Sequence, residues 1–279
     1  MDDRMMDATP AARRSPIDAF LESPLSGLAP WIAMSLIVGP GRFEEAASIA
    51  LGMSVLLLVL GHRRGWSLRN DPDRRGGRVK TMEWFDVAYF AVIAVIGLFA
   101  SDRVISWMEL WSGEMTNIAL VVFAFGSILL RNPFTIEYAK EQAPEEVWDT
   151  PLFRKINYRI TLAWALAFAF SALAGLYGVI VLHTSDNFWT GWILQIGALL
   201  FAVAFTEWYP DAAQPSEPGP PLLALFDWIP AYVGIVGVAL LITEAGPTYL
   251  GIALIVVGVV GFLAVRRSAR ARKSAVTPQ

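Results

Sequence analysis

The residue types best suited to metal or nucleophilic chemistry are scarce in this chain. It has no Cys, which excludes disulfides, zinc fingers, iron–sulfur clusters and thiol nucleophiles together. Its two histidines, His62 and His183, fall at opposite ends of predicted membrane spans. They cannot jointly ligate one metal or haem across about 30 Å of hydrocarbon. Glu44, Glu45, Asp86, Glu207, Asp227 and Glu244 sit close to predicted span ends, where they are expected to reach water. No Lys or Arg falls mid-span, whereas an ion-coupled carrier is expected to show a central charge. Ser48, Ser54, Ser127 and Ser171 lie in spans with no in-span His to serve as a base. HExxH, GxSxG and P-loop signatures are absent, as is the aspartate spacing of membrane-embedded lipid transferases. The expectation is a non-enzymatic protein with no catalytic, metal or cofactor-binding residues and no cofactor.

The elements that carry these residues are dictated by composition. Of 279 residues, 55% are hydrophobic and only 17% charged, with a mean hydropathy of +0.49. Soluble domains carry about a quarter charged residues. A net charge of −3 gives no nucleic-acid signature. A membrane span needs about 20 mostly apolar residues. Eight such segments are predicted, over about 24–39, 45–60, 84–100, 117–130, 160–182, 189–207, 222–242 and 247–265. The chain is thus expected to be an all-α integral membrane protein, a bundle of about eight transmembrane helices. The first span is the shortest, and its proline and glycines suit a re-entrant course.

Loop charge predicts orientation, because Lys and Arg accumulate on the cytoplasmic side. With the N-terminus inside, 20 of the 22 basic residues fall in the N-terminal tail, the 61–83 and 131–159 loops and the C-terminal tail. Only Arg42 and Arg103 fall outside. Both termini are therefore expected in the cytoplasm. Residues 1–23 read as a cytoplasmic tail rather than a signal peptide, lacking a short apolar core before a cleavage site. A 24–210 membrane domain follows, then a Pro-rich linker over 211–221, a two-helix hairpin over 222–265 and a basic tail over 266–279. The basic 61–83 loop reads as a topology signal that can also hold anionic lipid headgroups.

Two connections look structured. Residues 101–115, with Ile105, Met108 and Trp111 at three-residue spacing, predict an amphipathic turn or two in the outer interface. Residues 131–159 hold three proline-led helix starts, at Asn132-Pro133, Pro144 and Thr150-Pro151, and predict a cytoplasmic platform. On it, Phe134 and Tyr138 are expected to face the bilayer, and Glu137, Lys140 and Glu141 to face water. Trp164 lies inside a span, where helix packing is its default role.

Several short motifs agree in order and spacing with a known family. They are Pro30 in the first hairpin, then Asp102, Ile105 and Trp107 as a D-x-x-[IL]-x-W string. Pro133, Lys140-Glu141 and Val147-Trp148 follow, and then Leu162-Ala163-Trp164-Ala165 with Leu173, Ala174 and Tyr177, and finally Asn187 and Trp189. Over about residues 25–210 the chain resembles the bacterial intracellular septation protein A family, the YciB-like inner membrane-spanning proteins. Ser106 stands where that family commonly has Lys and Gly175 where it commonly has Asn. The last two helices lie beyond its usual end.

The resemblance implies a bacterial inner-membrane protein for cell-envelope maintenance or septation, acting without a known reaction. Its expected partners are membrane lipids and membrane proteins of division or envelope synthesis, with a homo-oligomer open. Asp102, Trp107, Lys140, Glu141, Trp148 and Trp164 are the candidate partner or lipid contacts. The alternative is a transporter or lipid flippase.

Overall fold

A computed structural model describes residues 20–21, 23–68, 80–184, 187–214 and 219–276. Most of the predicted N-terminal tail, residues 69–79 of the basic 61–83 loop, the centre of the Pro-rich linker and the last three residues lie outside these. The described residues form an all-α membrane bundle without strands. Its helices are α1 (Pro24–Ile37), α2 (Phe43–Leu68), α3 (Thr81–Phe99), α4 (Asp102–Leu129), α5 (Thr135–Gln142), α6 (Pro151–Ile180), α7 (Leu194–Ala212), α8 (Ile229–Ile242) and α9 (Thr248–Val276). A π-helical turn (Phe188–Ile193) leads into α7, and a 3-10 turn (Leu222–Phe226) leads into α8.

Among the described residues, seven segments are long and apolar enough to cross a membrane: Phe43–Arg63, Thr81–Phe99, Asp102–Leu129, Pro151–Ile180, Phe188–Ala212, Leu222–Ile242 and Thr248–Ser268. The predicted eighth, α1, has 14 residues. At 1.5 Å per residue it is about 21 Å long, short of the hydrocarbon thickness. It packs instead as a buried wedge against α2 and α3, with Pro30, Trp31 and Met34 inward. Ser23 caps its start by accepting from the Leu25 amide at 3.2 Å.

The outer connection is a second correction. Residues 101–115 are not a separate interfacial piece but the first half of the unbroken 28-residue α4. Its buried stripe runs Met108, Ser112, Asn117, Leu120, Ala124 and Ser127, at helical spacing. The reverse turn between α1 and α2, with Gly41 at φ 72°, is pinned to this helix. Its Gly41 amide donates to Glu109 Oε1 at 2.7 Å. The platform is present as α5, a 3-10 turn over Glu145–Val147 and the start of α6. Thr150 caps α6 by accepting from the Phe153 amide, with Pro151 in its first turn, as the motif predicts. His183, which follows α6, adopts φ 55° and ends that helix.

The hairpin of α8 and α9 is held by backbone approach, since lipid supplies no hydrophobic drive between helices. A Cβ on Gly258 would lie 2.5 Å from Gly234 Cα and 2.8 Å from the Pro230 carbonyl oxygen. One on Gly237 would lie 2.6 Å from the Gly251 carbonyl oxygen. Replacing Gly258 by Leu should therefore destabilise the hairpin by about 1–3 kcal/mol, the usual range for overpacking. Thermal unfolding in detergent should show the loss, whereas Val256→Leu, on the exposed face of the same helix, should leave the midpoint unchanged.

Candidate functional site

Where the 61–83 loop enters α3, Lys80 is buried, its side chain 4% exposed. A buried ammonium must be paired and hydrogen-bonded, and this one is. It donates to the Leu21 carbonyl oxygen at 2.6 Å, sits 3.2 Å from Glu141 Oε2, and lies 4.4 Å above the Tyr138 ring. Its backbone amide donates to Glu83 Oε2 at 3.2 Å, closing the first turn of α3. Glu137 supports the same helix end by accepting from the Thr81 amide and hydroxyl, both at 2.6 Å.

These contacts correct three expectations. Glu141 is turned into the protein rather than toward water, because Lys80 waits there as its counter-ion. Tyr138 and Phe134 face the core rather than the bilayer, each 2% exposed, because α5 docks between α3 and α6. Burial, reinforced by the surrounding carboxylates of Asp86, Glu83, Glu137 and Glu141, holds the Tyr138 phenol well above its usual range. It therefore stays neutral, with its hydroxyl unpartnered. Gly27 makes the room, since a Cβ there would sit 2.7 Å from that hydroxyl.

Asp86, expected to reach water, is 1% exposed. It lies on the buried stripe Met82, Asp86, Phe90, Ile93 and Gly97 of α3. Its Oδ1 accepts from Trp31 Nε1 at 2.7 Å, and its Oδ2 has no partner. Trp31 is clamped by Phe85, Tyr89 and Phe90, with centroids 4.6 to 5.9 Å away.

A second buried acid stands in the other half of the bundle. Glu114 is residue 13 of the 28 in α4, 5% exposed, with Oε2 unpartnered. Its carboxylate presses on Gly175 of α6, in the space a side chain would occupy. One turn along, Gly178 admits the Thr190 hydroxyl, also buried and unpartnered. Asn117 donates to Gln195 Oε1 at 3.1 Å, and Gln195 Nε2 donates to the Thr190 carbonyl oxygen at 3.0 Å.

The six predicted contact residues do not gather into one site. Asp102 and Trp107 are exposed near the start of α4, where Trp107 packs 6.2 Å from Trp111. At the other end Lys140 lies 5.1 Å above the Trp148 ring, whose Nε1 donates to the Ala143 carbonyl oxygen at 3.0 Å. Trp164 is 1% exposed and donates to Thr206 Oγ1 at 3.0 Å, a packing role. Sequence reasoning missed Lys80, Glu83 and Glu114 because it placed all three in loops. The legible signal was spacing: Glu114 precedes Asn117, Leu120, Ala124 and Ser127 at intervals of three or four.

Two grooves open on the surface. One of about 430 Å³ runs between α6 and α7, lined by Leu162, Leu166, Phe170, Phe201 and Phe205 with Arg159 also on its wall. The other, about 240 Å³, lies beside α5 and includes Thr135, Tyr138, Asn157 and Thr206. Among the described residues, no three His, Asp or Glu side chains converge as a metal-ligand set.

Removing one partner of a buried ion pair strands the other charge, at about 3–5 kcal/mol. Lys80→Met should lower stability by about that much, and adding Glu141→Leu should restore most of it. Thermal unfolding of both variants in detergent measures the recovery; no recovery would mean that Lys80 acts mainly through Leu21 and Tyr138.

The chain matches no protein-family model, no curated protein and no solved structure.

Proposed function

We propose that this polytopic membrane protein is a carrier whose transport is coupled to a proton or small cation. The observation that carries the reading is the pair Asp86 and Glu114. Each is a buried carboxylate on a membrane-spanning helix, and each has one oxygen without a partner. Ionisable side chains are expensive inside a bilayer and mark ion or substrate pathways. Neither acid is paired with a Lys or Arg among the described ion pairs. A purely structural bundle has no use for two such groups, since an apolar side chain of similar volume would pack at lower cost. The platform supports the same reading. Glu141, Glu137 and Tyr138, which a docking surface would present outward, are consumed in holding α5 against α3.

A second reading is a non-enzymatic role in envelope maintenance or septation at a bacterial inner membrane. The resemblance to the septation protein A family supports it, and its exposed contacts would be Asp102 and Trp107 at one end and the Lys140–Trp148 pair at the other. The loop-charge asymmetry supports cytoplasmic termini in either case.

Reconstituted protein on a solid-supported membrane should pass current with a member of a panel of amino acids, sugars, organic anions and lipid precursors. Asp86→Asn and Glu114→Gln should each lower that current by at least about tenfold. Tyr249→Ala, at an exposed position, should leave it intact. A silent panel, or a current indifferent to both acid substitutions, would overturn the carrier reading. Abnormal division in a deletion strain, rescued by Glu114→Gln but not by Trp107→Ala, would instead favour the envelope role.

A further inference from the structure

We propose that the groove between α6 and α7 binds one anionic phospholipid of the leaflet on the platform side, with its phosphate on Arg159 and an acyl chain laid along the groove. The proposal goes beyond the carrier reading and does not rest on it.

On α6 the groove is a single stripe. Arg159, Leu162, Ala163, Leu166, Ala167 and Phe170 recur at helical spacing and share one face of that helix. Ala163 and Ala167 are 8% and 5% exposed, and Ala198 of α7 joins them in the lining. The hollow exists because these three side chains are small, while Phe170, Phe201 and Phe205 beside them are large. Leu166 and Phe170 stay 55% and 48% exposed on a helix long and apolar enough to span a membrane. An empty hollow would forfeit dispersion contacts along its lining, so hydrocarbon is its natural filling.

Depth selects the leaflet. From Ile160 to Ile180 α6 carries no charged residue, a length of about 30 Å that matches the hydrocarbon thickness. Arg159 therefore stands at the hydrocarbon boundary on the platform side. From Arg159 to Phe170 the groove follows α6 for about 16 Å, roughly half that thickness. A phospholipid with its phosphate at Arg159 would run its chain to the closed end of the stripe near the midplane.

Charge selects the headgroup. Arg159 is exposed and takes no part in the described ion pairs. Lys155, one turn nearer water on the same face, is exposed and unpaired in the same sense. Glu207 of α7 lies two residues past Phe205, about 200° around that helix, and so points away from the groove. A guanidinium takes phosphate oxygens in bidentate fashion, and basic pockets between spans recognise anionic headgroups. A helix of a second copy seated here would instead cover Arg159 and strand its charge unless it brought an acid.

The test is native mass spectrometry of the purified full-length chain titrated with phosphatidylglycerol or phosphatidylcholine of identical acyl chains. One phosphatidylglycerol per chain is expected, retained at least about tenfold more tightly than phosphatidylcholine. Arg159→Gln should weaken phosphatidylglycerol about tenfold, or about 1.4 kcal/mol, near the low end for a hydrogen bond to a charged group. It should leave phosphatidylcholine unchanged. Ala198→Phe, which fills the groove, should weaken both lipids. Arg267→Gln, at an exposed basic position of α9, should affect neither. Size-exclusion profiles confirm folding, and the exposed Arg159→Gln keeps the site testable if Ala198→Phe does not fold. Equal retention of the two lipids, or retention indifferent to Arg159→Gln, overturns the site. So does displacement of the lipid by inorganic phosphate, which would assign Arg159 to a free anion, or a lipid-free dimer broken by Ala198→Phe, which would assign the groove to a second copy. Because retention is read at equilibrium without transport, a silent solute panel leaves this result untouched.

Discussion

The Lys80 ammonium joins parts of the chain that nothing else in the sequence relates. Its three directions reach the Leu21 carbonyl before α1, Glu141 at the end of α5, and the Tyr138 ring in the middle of α5. A buried cation cannot leave any of these without exposing its charge to a low-dielectric surrounding. The short wedge α1, the start of α3 and the platform helix therefore converge on one side chain, with Glu137 on the Thr81 amide and hydroxyl as a second tie between α5 and α3. With eight residues, α5 is too short to hold a helical conformation without such ties. With them, α5 covers the lower face of the bundle and places Tyr138 among the carboxylates of α3.

Glycines do two different jobs in this bundle, separated by location. Between α8 and α9 they bring backbone against backbone, which is how helices associate where the hydrophobic effect is absent. Around the buried acids they admit a polar side chain from a neighbour. Gly61 admits Glu83, Gly27 admits Tyr138, Gly175 admits Glu114 and Gly178 admits Thr190. The second use is costly where it leaves a polar atom unpaired in a packed interior, as at Tyr138 Oη, Glu114 Oε2 and Thr190 Oγ1. Its repetition at these three places argues that polarity inside this bundle is retained for a function. At Gly175 the helix has no side chain of its own, and a carboxylate from α4 takes the space.

The resulting molecule has buried polar groups in two places, around Asp86 toward the start of α3 and around Glu114 midway along α4. At the platform end Asp86 is held by an indole clamp and faces the neutral Tyr138. In the other half Glu114 stands with hydroxyls and no counter-charge. The last two helices contribute to neither group. They meet the rest of the bundle at the turn into α7, where the Tyr232 hydroxyl donates to the Ile193 carbonyl oxygen and its ring rests against Gly197. That contact falls on the π-helical turn, so the α8–α9 hairpin buttresses this irregular backbone.

Much of this architecture was written in the sequence. Apolar runs long enough for a bilayer specify helices wherever they occur, because no other open structure satisfies its backbone in lipid. Pro151 after Thr150 marks a helix start by local chemistry alone. Such features depend on neighbours in the chain. What surrounds a polar residue does not. Asp86 read as a group near a span end, Glu114 as part of an interfacial piece, and Glu141 as a solvated platform charge. Each is buried because a distant segment covers it: α1 over Asp86, α6 over Glu114, and Lys80 opposite Glu141. Sequence pattern determined the number of membrane-length helices to within the one that proved too short. Only tertiary packing decided which acids lose water, since burial is a property of the helix across the gap and not of the residue's own helix.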